Sequence, residues 1–230
     1  MSDKTELAQL AVADLAELTR GLYFLFWSLL VFVMALLETL VLPGGQPFPV
    51  LFLSAAGVGT LVGAYRLSRV RALGRAWQVG TRNLLVAAVV VDYLSLFYLM
   101  WRQLPANGYL LTHALVFFDM VIVMFGLLCP PVWHLTRAAG RPTLSAQCVW
   151  FGAVALLLFV PVAVLIVRLL VTATQHDLNP LVVLQLWLEN VPRWATLGLL
   201  LPVALLLSLL WTAKDLALQA LLAKSAPPGQ

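Results

Sequence analysis

Long apolar stretches separated by short breaks rich in proline, glycine and arginine organise the whole chain. They fall at roughly 21–42, 50–66, 83–104, 109–135, 147–172 and 191–213, each reaching the ~17 residues or more that an α-helix needs to cross a bilayer. None of the stretches alternates apolar and polar residues with a period of two, so spanning helices are expected and a barrel is not. The breaks carry turn chemistry: Pro43-Gly44-Gly45-Gln46-Pro47, Pro105-Ala106-Asn107-Gly108 and Gly140-Arg141-Pro142-Thr143. Asn190 just before Pro192 suits the cap and first turn of the last span.

Two segments depart from this pattern. In residues 5–20, Leu7, Ala11, Leu15, Leu18 and Leu22 fall on one side of a helix, with Glu6, Gln9, Ala13 and Glu17 opposite. This predicts an amphipathic helix at the inner membrane surface, although its acidic polar face suits docking on the protein's own loops or on a partner equally well. Residues 181–188 are too apolar for a solvated loop and too short to span, which predicts an interfacial or re-entrant helix. The fold expected is therefore an all-α polytopic bundle. It has an amphipathic segment at 1–20, a six-helix transmembrane domain at 21–213 and a cytoplasmic tail at 214–230 that is disordered from Ser225 onward.

Composition strengthens the membrane reading. Of 230 residues, 62% are hydrophobic and 10% charged, against about half and a quarter in soluble domains. The net charge of +4 does not point to nucleic acid, because the basic residues sit in the connections between spans. Lys4, Arg20, Arg66, Arg69, Arg71, Arg75, Arg82, Arg137, Arg141, Lys214 and Lys224 fall on one side of the membrane, and Arg102, Arg168 and Arg193 on the other. The richer side is expected to be cytoplasmic, with both termini there, in a bacterial cytoplasmic (inner) membrane. Trp133, Trp150 and Trp211 fall near the inner boundary and Trp101, Trp187 and Trp194 near the outer one, as an aromatic belt requires. The first twenty residues lack the basic start and small-residue cleavage site of a signal peptide. Cys129 and Cys148 are expected as reduced, apolar packing residues.

The sharpest candidate chemistry is a pair of carboxylates, Asp92 in the third span and Asp119 in the fourth. At ~1.5 Å of rise per residue each lies about 15–18 Å into a ~30 Å core, on antiparallel neighbours. A charged carboxylate there costs about 2.5–3.5 kcal/mol. Facing each other, the two would share a proton and suit proton relay or cation binding; apart, each would bond locally or pair with a basic residue of another subunit. A second group gathers at the outer edge: Glu38, His113, Arg168, Glu189 and Arg193. Glu38 and Arg168 are expected to form an ion pair. The alternatives for the group are a pocket for a lipid head group, quinone or anion, and a set of snorkelling side chains.

Ala55, Gly59 and Gly63 give the second span a smooth face for helix packing. The basic connection Arg66, Arg69, Arg71, Arg75 and Arg82 is expected to anchor topology on anionic lipid or to receive a soluble partner. Neither a metal nor a cofactor is expected. The three histidines do not gather, and no metalloprotease, thiol-redox, hydrolase or phosphate-loop motif occurs. No repeat relates the two halves of the chain, so the inverted-repeat argument for a transporter is not met.

Three functions are compatible with these features. The first is a non-catalytic subunit or accessory protein of a membrane complex, its partners being lipids and another membrane subunit or a second copy. The second is a small permease using Asp92 and Asp119. The third is a lipid- or quinone-active enzyme with His113 and Glu38 as acid or base.

Overall fold

The computed structural model describes residues 6–41 and 47–225. It contains eight helices among those residues: α1 Glu6–Gln9, α2 Val12–Val41, α3 Pro47–Arg69, α4 Gly74–Gln103, α5 Gly108–Ala138, α6 Pro142–Gln175, α7 Pro180–Asn190 and α8 Arg193–Ser225. Six of them, α2 to α6 and α8, are long and apolar enough to cross a membrane. The protein is a polytopic α-helical bundle. The turn cluster at 43–46 and the tail after Ser225 lie outside the described residues.

The spanning helices close into a ring of contacts, α2 on α3, α3 on α4, α4 on α5, α5 on α6, α6 on α8 and α8 on α2, with α5 also touching α8. Sequence periodicity explains why they pack side by side. The buried positions of α4 include a stripe of Trp77, Thr81, Leu84, Ala88, Val91, Ser95, Tyr98 and Arg102, alternating four and three residues apart. Those of α5 repeat the rhythm through Leu110, Ala114, Phe117, Val121, Met124, Leu128, Pro131 and Leu135. A repeat averaging 3.5 residues keeps one seam of a helix against its neighbour along its full length.

In α2 the same stripe runs through Leu15, Leu18, Leu22, Leu25, Leu29 and Phe32. Leu15, Leu18 and Leu22, expected to lie flat on the membrane, therefore face the bundle core. The helix is unbroken across residue 20, and only the four-residue α1, which contacts α5 and α8, precedes it. An apolar stripe opposite a polar one looks the same whether the helix lies on lipid or forms the first turns of a span packed on its neighbours.

Close approaches between backbones hold α2 and α3 together. A Cβ built on Gly21 would lie 3.2 Å from the Gly63 carbonyl oxygen, and one on Gly63 3.0 Å from that of Gly21. Facing glycines let two helices meet without side chains between them. Helix α7 has 11 residues, about 16 Å of rise, which is too short to span. Asn179 caps it, its Oδ1 accepting from the Leu181 N–H at 3.0 Å, and it packs on α6. Helix α6 is the odd member of the ring. Only 6% of its most apolar stretch is buried, against 39–50% for the other five spans.

Candidate functional site

Asp92 and Asp119 are directed to different neighbours. Asp92 projects from α4 onto α3, where its Oδ1 fills the space that a side chain at Gly57 would occupy. The backbone carbonyl of Asp92 accepts a 2.6 Å hydrogen bond from Ser95 Oγ. Asp119, on α5, lines a cavity of about 210 Å³ whose other walls come from α2, α6, α7 and α8. Neither α3 nor α4 contributes to that wall. Among the described residues no hydrogen bond or ion pair joins the two aspartates, and a proton shared between them finds no support.

The cavity is apolar apart from one group. Val33, Leu36 and Leu37 line it from α2; Leu115, Phe118, Val121, Ile122 and Phe125 from α5; Phe159, Val162, Ala163, Ile166 and Val167 from α6. Trp187, Leu188 and Val191 come from the end of α7, and Leu200 and Val203 from α8. Asp119 is the single ionisable side chain among them and is exposed. It has no hydrogen-bond or ion-pair partner among the described residues. Its place follows from the helix: eleven residues after Gly108, it lies about 16 Å from the N-terminal end of α5. Helix α6, the least buried span, and the end of α7 supply eight of its lining residues.

The outer group does not assemble into a site among the described residues. Glu38 and Arg168 are both exposed, and the expected ion pair between them does not form. Their helices, α2 and α6, are not neighbours in the ring, which sequence spacing did not reveal. His113 stacks on Phe97 at 4.6 Å between ring centroids, and its Nδ1–H donates to the Tyr109 carbonyl at 2.9 Å. Glu189 is exposed at the end of α7, and the Arg193 side chain falls outside the described residues. An acid and base formed by His113 and Glu38 has no geometric basis here.

On α3, Gly59 and Gly63 lie against Ser28 and Leu25 of α2, whereas Ala55 is exposed and Ala56 takes the buried position. In the basic connection, Arg66 Nη1 donates to both carboxylate oxygens of Glu17, at 3.2 and 3.1 Å, and its guanidinium lies 5.6 Å from the Phe24 ring centroid. Arg69 lies over Tyr65, while Arg71, Arg75 and Arg82 are exposed. Lipid or partner contact therefore remains open to all but Arg66.

Two features escaped the sequence. Gly57 is the seat of Asp92, and its only signal was a third glycine displaced from the Gly59–Gly63 line. A buried polar layer near the C-terminal end of α4 brings Tyr98, Trp101 and Arg102 into the core, with Tyr98 Oη 2.8 Å from Thr39 Oγ1. Thr39 donates its one hydroxyl proton to the Leu36 carbonyl at 2.7 Å, so Tyr98 is the donor to Thr39. The signal here was Tyr98 and Arg102 falling on the apolar stripe of α4.

No group of three or more His, Cys, Asp or Glu side chains able to hold a metal occurs among the described residues. No family model matches the chain, and no curated protein or solved structure matches it.

Proposed function

We propose that this is a small permease-type membrane protein that takes a compact, mostly apolar ligand into the cavity between α2, α5, α6, α7 and α8. The observation that carries the reading is the cavity itself. Membrane helix bundles pack closely, and a void of about 210 Å³ exceeds the ~150 Å³ cavity that suffices to bind benzene in a soluble core. Asp119 at mid-span gives it one polar anchor, in keeping with the general arrangement of binding pockets as apolar walls with few polar groups. The site rests on one aspartate and not on a coupled pair.

The test is uptake of a neutral apolar probe, neopentylbenzene, by the protein in lipid nanodiscs, corrected for uptake by empty discs. Saturable binding in the wild type and its loss in Ala163→Phe, which fills the cavity from α6, are expected. Non-saturable uptake that is the same in both proteins would remove the reading.

A second reading, a non-catalytic subunit of a larger complex, is favoured by α6. Its exposed residues Leu157 and Val160 belong to the most hydrophobic span and the least packed one. Photo-crosslinkers at these two positions are expected to join a defined protein in intact membranes, whereas Val86 and Val89 on α4 join lipid alone. A solitary monomer in mild detergent with lipid adducts at all four positions counts against it.

A further inference from the structure

The cavity has a chemistry more specific than its size. Four aromatic rings, Phe118, Phe125, Phe159 and Trp187, share its wall with the single carboxyl of Asp119. Aromatic faces attract organic cations electrostatically, and indole does so best, especially where water is excluded. A carboxyl at mid-span either takes up a proton or is held ionised by a counter-charge brought to it, and a bound cation supplies the second. Among the described residues, no charged side chain besides Asp119 lines the cavity, so the wall they form supplies no positive partner.

We infer that the cavity binds a lipophilic ammonium ion, with Asp119 as counter-ion, the four aromatic rings around the cationic head and the aliphatic side chains of α2 and α6 around its apolar tail. The inference rests on the ligand-binding reading above and names the class of ligand. A small inorganic cation does not fit, because it needs several oxygen ligands and the wall offers only those of one carboxyl. A neutral lipid chain fills the space equally well but leaves the carboxyl without a partner. The apolar lining suits entry from the bilayer, with Asp119 about 16 Å along α5 from its N-terminal end.

Two probes of the same shape separate charge from volume: benzyltrimethylammonium and its uncharged carbon isostere, neopentylbenzene. Binding of each is measured to the full-length protein in nanodiscs, with empty discs subtracted. The wild type is expected to prefer the cation at least tenfold. Asp119→Asn is expected to lose that preference while its affinity for the isostere changes less than twofold. Ala163→Phe is expected to exclude both probes, and Asp177→Asn, at an exposed position between α6 and α7, to behave as wild type.

Binding of the isostere without preference for the cation would overturn the cation assignment and leave the ligand cavity standing; binding of neither would overturn both. Undiminished cation binding in Asp119→Asn would refute the role of the carboxyl. The wild-type preference is a complete readout by itself should Asp119→Asn fail to fold.

Discussion

Gly57 and Asp92 occupy one side chain's worth of space between them: a Cβ at Gly57 would lie 2.0 Å from Asp92 Oδ1. The carboxyl is thus a spacer between α3 and α4 as much as a titratable group. Gly57→Ala forces the rigid backbone or the short Asp92 side chain to move, and overpacking of this kind costs about 1–3 kcal/mol. Combining it with Asp92→Ala is expected to recover most of the loss. Unfolding in mixed micelles across the four proteins of this double-mutant cycle measures the coupling, and additive losses would show that the contact is not shared.

The buried pair Tyr98 and Thr39 makes an asymmetric prediction. Tyr98→Phe leaves Thr39 donating to the Leu36 carbonyl and is expected to cost about 0.5–1.5 kcal/mol. Thr39→Val leaves the hydroxyl of a fully buried tyrosine without its acceptor, which is expected to cost about 1–3 kcal/mol. Equilibrium unfolding of the two variants checks the order, and the reverse order would show that Tyr98 accepts.

Glu17 and Arg66 tie the start of α2 to the end of α3 at 3.1 Å, with side chains 26% and 30% exposed. Solvent and salt screen such a pair, so Glu17→Gln is expected to destabilise by no more than about 1 kcal/mol. High salt should shrink the difference between wild type and variant. A larger, salt-independent loss would mean that the pair is shielded from water.

The charge distribution around the bundle predicts its orientation. A membrane-impermeant maleimide is expected to label Asn107→Cys in intact cells and Arg71→Cys only after permeabilisation, in a background where Cys129 and Cys148 are Ala. The opposite pattern would invert the topology.

The spans were legible in the sequence because hydropathy reports the solvent directly, and the breaks at 104–107 and 139–141 because Pro, Gly and Asn bend or cap chains there. Neighbour relations were legible only where a connection is short, as for α4 and α5. Asp92 and Asp119 lie at similar depth, but depth fixes neither facing. The side of α4 on which Asp92 meets Gly57 depends on where α3 sits. Gly57 itself stands two residues from Gly59, about 200° around the helix, so the same small-residue cluster serves α2 with one face and α4 with the other. The cavity was not legible at all, since it needs α2 brought to α5, α6, α7 and α8, a relation between distant parts of the chain that no short connection reports.

The glycines and hydroxyl residues that let α3 settle between α2 and α4 also dilute its greasiness. Its mean hydropathy, 1.5, is the lowest of the six spans, while that of α6 is the highest at 2.9. By hydropathy, α6 is the span best able to enter lipid on its own account, whereas α3 has the most to gain from a helix already beside it. The span with the weakest tertiary embrace is the one that needs it least.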